Sequence, residues 1–176
     1  MNDTPLIMKA LLFAAHKHCH QRRKDVDASP YINHPISLAH ILSNEVGITD
    51  AEVICAALLH DTLEDTDTTV AELEQLFGAT VSSIVSEVSD DIALPKSERK
   101  RLQIEHAAVI SDPAKLVKLA DKISNLRDVA VNPPADWTLQ RRQEYFDWAR
   151  QVIDQLRGVH QQLEAVFDAA YALRPQ

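Results

Sequence analysis

The sequence predicts an all-α protein, a bundle of about seven to eight helices with no significant sheet, organised as one domain over residues 1–176. Glycine is scarce, with 3 residues, and aromatic residues make up only 5% of the chain. Runs of β-branched residues are short, whereas helix formers such as Ala, Leu, Glu and Lys dominate. Apolar residues make up 45% of the chain, which suffices for a core, and they recur at helical spacing.

The N-terminal third is predicted to form two helices joined by a polar loop. The first begins at Pro5, since proline suits the first helical position, and ends near His20. A polar loop closed by two prolines follows over residues 21–35. Pro35 opens the second helix, which carries apolar residues on one face and ends at Gly47.

Two capping boxes, which begin at Thr49 and Thr69, predict the next two helix starts. The first opens a helix over residues 50–59 that is apolar nearly all round and is therefore expected to be buried. The second opens a short helix that ends at Gly78. Apolar residues at helical spacing then continue over residues 81–88.

The C-terminal half is predicted to contain three further helices. A charged helix follows a loop that ends at Pro95, and Asp112 caps the next helix. Asn132 and the two prolines after it end that helix. Residues 137–173 are then predicted to form one long helix, bent at Gly158.

Composition also restricts the partners and the compartment. The formal net charge of -8 argues against a general nucleic-acid partner. No segment is long and apolar enough to predict a membrane span or a signal peptide. Two cysteines are too few for a disulfide framework, so we expect a cytoplasmic protein. The composition does not indicate an oligomeric state.

The end of the most apolar helix is a candidate functional site, because His60 and Asp61 are adjacent there and Glu64 and Asp65 follow. Imidazole and carboxylate groups are ligands of divalent first-row metals. A solvated helix end is the alternative interpretation of such a pair. His16, His18 and His20 are interpreted in that way, as a solvated helix end, because residues two apart on a helix point to different faces.

Three further residues favour a metal site. His34 lies between a loop and a helix start, and Asp121 interrupts an apolar helix face, with Asn125 one turn later. An aspartate there is costly unless it binds metal or pairs with Lys118 or Lys122. Two imidazoles and two carboxylates leave room for water in a six-coordinate shell, which favours Mn²⁺ over structural Zn²⁺.

These residues resemble the H…HD…D pattern of the HD superfamily of phosphohydrolases. The segment HDTLEDTDTT is similar to the HDxxED block of the hydrolase domain in the RelA/SpoT alarmone enzymes. The chain also resembles the stand-alone branch of this group, the small alarmone hydrolases of the metazoan SpoT homologue type. The segments that carry this resemblance are RRKD…SPYINHP, ALLHDTLEDTDTT, LPKSERKRLQIEH, KLVKLADKISNLRD and RRQEYFDWA.

The resemblance implies an HD-domain helical bundle that removes the 3′-pyrophosphate of ppGpp or pppGpp with Mn²⁺ and has no synthetase activity. Its metal ligands would be His34, His60, Asp61 and Asp121. Glu64 and Asp65 match the pair that positions or deprotonates the attacking water, and Asn125 matches an asparagine near the metal and the sugar. Residues that match the substrate side are Arg23, Lys24, Lys96, Arg141 and Tyr145.

Some departures from the family pattern leave alternatives open. The long enzymes read LHNMRT where this chain reads ISNLRD, so Asp128 adds negative charge near the expected phosphate site. The alternative functions are an HD phosphatase that acts on another nucleotide, such as the 2′-phosphate of NADPH or a nucleoside monophosphate, a non-catalytic alarmone sensor, and a structural adaptor. The intact HDTLED segment argues against the sensor.

Overall fold

The structure is a computed structural model, and it describes residues 3–176. Over these residues the backbone forms α1 (Thr4–Lys17), α2 (Asn33–His40), α3 (Ala51–Leu59), α4 (Thr62–Asp65), α5 (Val70–Phe77), α6 (Ala79–Val88), α7 (Lys96–Ala107), α8 (Asp112–Val131), α9 (Leu139–Asp154) and α10 (Gln161–Tyr171). A π-helical segment, Ile41–Glu45, extends α2. One isolated bridge joins Arg22 to Pro30, and no sheet forms within the described residues. The all-α prediction is confirmed.

The helix starts follow local capping chemistry. Thr69 accepts a hydrogen bond from the Glu72 N–H, as the second capping box predicts. The first capping box is wrong, because Asp50 rather than Thr49 has the extended backbone of a cap and accepts from two N–H groups of α3. Ser111 similarly caps α8 in place of Asp112, which is the first residue of that helix.

The prediction of one long C-terminal helix is wrong. The chain leaves the helix after Asp154 and re-enters it at Gln161. Gly158 has a φ of 98°, a left-handed conformation that reverses the chain, and the His160 ring caps α10 by accepting from the Leu163 N–H. Apolar spacing continues across this break because both helices face the same core, so periodicity alone conceals it.

Two helices form the centre of the molecule. The residues of α3 from Val53 to Leu59 are all buried, and α3 packs against α1, α2, α6 and α8. The 20-residue helix α8 is buried along much of its length and also contacts α2, α6, α9 and α10. The end of α3 and the middle of α8 therefore meet inside the bundle. Within residues 3–176, no helix has both the length and the apolar character to cross a bilayer.

Candidate metal centre and adjoining cavities

The four predicted metal ligands converge at the junction of α2, α3 and α8. The Nε2 atom of His34 lies 3.2 Å from Oδ1 of Asp121 and 3.8 Å from Oδ2 of Asp61. The Nε2 atom of His60 lies 2.9 Å from Oδ2 of Asp61 and 4.0 Å from Oδ1 of Asp121. One potential ligand atom from each of His34, His60 and Asp121 lies within 4.8 Å of the other two. The chain turns after α3, which brings His60 and Asp61 to the same point.

Both imidazole rings are held with Nε2 facing this point. The Nδ1–H of His60 donates to the Ala57 carbonyl at 2.9 Å, and Nδ1 of His34 lies 3.2 Å from Oγ of Ser124. Such contacts fix the orientation of metal-binding histidines. The Nε2 atom of His60 is buried and makes no hydrogen bond of good geometry within residues 3–176, although the Asp61 carboxylate is close to it. A buried nitrogen that faces carboxylates without a hydrogen bond fits a site for a divalent cation.

The charges around the centre keep its carboxylates ionised. Burial opposes the ionisation of Asp121, but Lys122 and the His34 ring outweigh it and hold the pKa of this carboxyl well below its usual range. Nζ of Lys122 lies 2.8 Å from Oδ2 of Asp121, while Oδ1 faces His34. Asp121 therefore makes the lysine pair considered in the sequence and faces the histidines with its other oxygen.

Glu64 and Asp65 occupy the single turn of α4, but they line different cavities. Glu64 lines the cavity of about 250 Å³ that contains the four converging side chains, called here the metal cavity. Its Oε1 accepts a hydrogen bond of 2.8 Å from the Asp90 N–H, and burial raises the pKa of its carboxyl to about 7. Asp65 lines a second cavity of about 560 Å³, the larger cavity.

A wall of polar and aromatic side chains borders both cavities. Asn125 donates to Oδ1 of Asp121 at 2.6 Å and accepts from Arg23 at 3.1 Å. Arg23 also pairs with Asp128 at 2.6 Å, so the aspartate that departs from the family pattern engages a predicted substrate residue. Tyr31 belongs to the same wall, and its hydroxyl donates to Oδ2 of Asp61 at 2.5 Å.

The other predicted substrate residues surround these cavities. Lys24 lines the larger cavity, and Lys96, at the start of α7, lines the metal cavity. Arg141 lines neither, but a third cavity of about 330 Å³ that it shares with Lys96, and its guanidinium lies 4.7 Å from the centre of the Trp137 ring. Tyr145 borders all three cavities, and burial raises the pKa of its hydroxyl to about 12.

Sequence reasoning missed most of the cations in the metal cavity. These are Arg99 and Lys100 of α7 and Lys118 and Lys122 of α8. The two lysines of α8 could have been recognised from the sequence, because they lie one turn apart and interrupt an apolar helix face on either side of Asp121. The residues of α7 could not, since that helix is charged on every face. Trp148, also missed, packs its ring against Lys100 and Lys122.

The interpretation of the N-terminal histidines is wrong at one position. His16 and His20 are exposed, but His18 is buried, 2.6 Å from the Gln21 side-chain oxygen. Its ring packs against Tyr31, with 4.9 Å between the ring centres. The chain leaves α1 after Lys17, so helical spacing no longer sets the direction of His18.

Comparison with known proteins identifies the family of the chain. A family model described as HD domain matches residues 10–147. The chain belongs to the HD-domain family. This HD-domain chain is 58% identical to the guanosine-3′,5′-bis(diphosphate) 3′-pyrophosphohydrolase MESH1 of Danio rerio over 163 residues, which cover 93% of the chain and 91% of the relative. It is 53% identical to the enzyme of that name from Drosophila melanogaster over 167 residues, which cover 95% and 93%.

A solved structure gives the same result for the fold of this HD-domain chain. It is that of a metazoan ortholog of SpoT described as hydrolysing ppGpp and playing a role in starvation responses. The TM-score is 0.93 at 53% sequence identity, and the match covers 96% of this chain and 95% of the other. The resemblance to the stand-alone branch of the RelA/SpoT group is thereby confirmed.

Proposed function

We propose that this chain is a guanosine-3′,5′-bis(diphosphate) 3′-pyrophosphohydrolase that converts ppGpp and water to GDP and pyrophosphate. The observation that carries the proposal is the centre of two histidines and two aspartates, which lies in a small cavity lined by cations. The larger cavity beside it has room for a nucleoside. The names of the relatives that match nearly the whole chain support the same activity. We further propose that residues 1–176 form a single hydrolase domain.

The ligands proposed for the cation are His34, His60, Asp61 and Asp121, and the cation is proposed to be Mn²⁺. Two nitrogens and two carboxylate oxygens suit a six-coordinate ion better than a closed tetrahedral zinc site. A bound cation supplies Lewis-acid polarisation of a phosphoryl oxygen and lowers the pKa of water. The buried Nε2 of His60, which lacks a hydrogen bond to any described residue, supports this assignment.

Glu64 is the proposed general base. It borders the metal cavity, its orientation is set by the Asp90 N–H, and its pKa of about 7 suits proton acceptance at neutral pH. The water gives a proton to Glu64 as its oxygen bonds to phosphorus and the bond between the 3′ oxygen and phosphorus breaks. The 3′ oxygen takes up a proton and leaves as the hydroxyl of GDP, and the phosphorus leaves in pyrophosphate. Asp65 borders the larger cavity, so we infer that it acts near the nucleoside. Asn125 holds Asp121 and Arg23 in position.

The substrate groups are assigned by charge and position. Lys96 and Arg141 would neutralise phosphate oxygens, which phosphoryl transfer requires. Arg23 and Lys24 border the larger cavity and would contact the nucleoside and its phosphates. Tyr145 and Trp137 are aromatic surfaces beside these cations, and Tyr145 borders both the metal cavity and the larger one.

The deciding experiment is turnover of a nucleotide panel by metal-free protein and by protein supplied with Mn²⁺. The panel contains ppGpp, pppGpp, NADPH and nucleoside monophosphates. The proposed function requires GDP and pyrophosphate from ppGpp, without stepwise orthophosphate. Release of orthophosphate from NADPH at a much higher kcat/KM would instead establish the alternative, an HD phosphatase for another nucleotide. Transfer of pyrophosphate from ATP to GDP should be absent.

A further inference from the structure

Lys118 is a buried cation with no carboxylate partner in the part of the chain that the structure describes. Its side chain is only 7% exposed, and its one hydrogen bond among the described residues is a long contact of 3.4 Å to the Val88 carbonyl. Among residues 3–176 it forms no ion pair within 4 Å, although Glu64 and Asp90 line the same cavity. An ammonium group has three donors, and leaving them unsatisfied in a buried site is costly. The position therefore has the character of a site for an anion.

Arg99 of α7 contributes a second cation to this cavity, and it too has no ion pair with any described residue. It lines this cavity and, together with Lys118, a neighbouring cavity on the side of Asp90. Its buried Nε has no hydrogen-bond partner within the described part of the chain. Lys122, by contrast, is paired with Asp121, and Arg23 is paired with Asp128. Arg99 and Lys118 thus share a neighbouring cavity that Asp128 does not border.

The positions of Lys118, Asp121 and Asn125 along α8 show how far Lys118 is displaced from the metal centre. Lys118, Asp121 and Asn125 share one face of the helix, because they are three and four residues apart. Asn125 borders the larger cavity, whereas Lys118 does not. At a rise of 1.5 Å per residue, Lys118 lies about 4.5 Å along the axis from Asp121, and Asn125 lies about 6 Å from it in the opposite direction.

We propose that Lys118, assisted by Arg99, binds the outer phosphate of the group removed from the nucleotide. The inference rests on the proposed function: the nucleoside lies toward Asn125, the phosphorus that is attacked lies at the centre near Asp121, and the second phosphate reaches Lys118. An offset of a few ångströms suits the next phosphate of a diphosphate, which a single phosphate would not reach. Lys118 is then a specificity-determining residue that favours a diphosphate over a monophosphate at the scissile position.

The test compares inorganic pyrophosphate with orthophosphate as ligands of the Mn²⁺-loaded protein, with Mn²⁺ in excess, by calorimetry. The wild type should bind pyrophosphate more tightly. Lys118→Met, which keeps the length of the side chain and removes its charge, should lower the ratio of the two affinities at least tenfold. Lys115→Met on the same helix is the matched control, because Lys115 pairs with Asp112 outside the cavities, and its ratio should equal that of the wild type.

Metal content and melting temperature are measured on each variant. A folded Lys118→Met protein that binds metal and keeps the wild-type ratio would overturn the proposal. A wild-type experiment covers the case in which this variant does not fold. Amine acetylation of Lys118, followed by peptide mass spectrometry, should be slowed several-fold by pyrophosphate and much less by orthophosphate. Equal slowing by the two anions, or none, would also overturn the proposal.

The turnover assay separates this proposal from the proposed function. Lys118→Met should lose at least tenfold in kcat/KM on ppGpp and much less on a guanosine nucleotide that carries one phosphate at the 3′ position. If the wild type does not hydrolyse ppGpp, the proposed function fails whatever Lys118 does. If it does and Lys118→Met loses equally on both nucleotides, only the role of Lys118 fails.

Discussion

Glu64 and Asp65 are adjacent in the chain, yet Glu64 borders the metal cavity and Asp65 borders the larger cavity. Successive residues of a helix point about 100° apart, and the single turn of α4 lies between the two cavities. The HDTLED motif alone does not distinguish the two carboxylates as candidates for the base. Their surroundings in the structure do, because each borders a different cavity. Their substitution should have different kinetic consequences.

Glu64→Gln should leave the metal content unchanged and lower kcat by roughly 10²–10⁴, the range for a positioned general base. The amide oxygen of glutamine can still accept from the Asp90 N–H, so the fold should persist. KM should change little, because the proposed role concerns only the attacking water. Asp65→Asn, the neighbouring control, should raise KM and reduce kcat less. Loss of Mn²⁺ from Glu64→Gln would instead make Glu64 a ligand.

Glu64 should also make the stability of the metal-free protein depend on pH. Burial raises the pKa of its carboxyl from 4.5 to about 7, so the folded state retains this proton over an interval in which the unfolded chain has lost it. The contribution is present below pH 4.5 and is lost as the pH rises to about 7. The free energy of unfolding is measured with urea in EDTA for Glu64→Gln and the wild type. The variant minus wild-type difference should be about 1–3 kcal/mol more favourable to the variant at pH 8 than at pH 4.5. An equal difference at both pH values would contradict the burial argument.

Asp121→Ala should destabilise the protein even without metal. The substitution leaves Lys122, which is only 4% exposed, as a buried cation without its partner. Removing one member of a buried pair typically costs about 3–5 kcal/mol. Asp128→Ala, which removes a half-exposed carboxylate from Arg23, should cost less than about 1 kcal/mol. Unfolding in EDTA measures both, and metal titration should show that Asp121→Ala has also lost Mn²⁺. Normal Mn²⁺ binding by Asp121→Ala would make Asp121 structural only.

The sequence predicted the candidate ligands because each interrupts a recognisable pattern. His60 and Asp61 follow the most apolar helix, and Asp121 interrupts an apolar face. It did not predict most of the cationic lining of the metal cavity, because that lining combines α7 with α8 and depends on how these helices meet. The break at Gly158 was also hidden, because a reversal between two helices on one core preserves apolar spacing. His18 is buried because the chain turns after Lys17, where the sequence predicted that the first helix continues to about His20.

Tyr31 offers a test of how the candidate ligands are held. Its hydroxyl donates to Oδ2 of Asp61 at 2.5 Å, and its ring packs against the buried His18. Tyr31→Phe keeps the ring and its packing but releases Asp61 to rotate. Loss of a group that orients a metal ligand typically weakens metal binding by about 10–100-fold. We therefore expect a weaker Mn²⁺ affinity in direct titration with little change in melting temperature of the metal-free protein.

Tyr171→Phe is the matched control for this substitution. Its hydroxyl also donates to a carboxylate, Asp147, at 3.0 Å, but in a C-terminal cluster that borders none of the four cavities described above. Its Mn²⁺ affinity should equal that of the wild type. If Tyr31→Phe also binds Mn²⁺ with wild-type affinity, the hydroxyl does not position Asp61. Restored turnover of Tyr31→Phe at saturating Mn²⁺ would show that its defect lies in metal binding, because a hydroxyl that contacted the substrate could not be replaced by more metal.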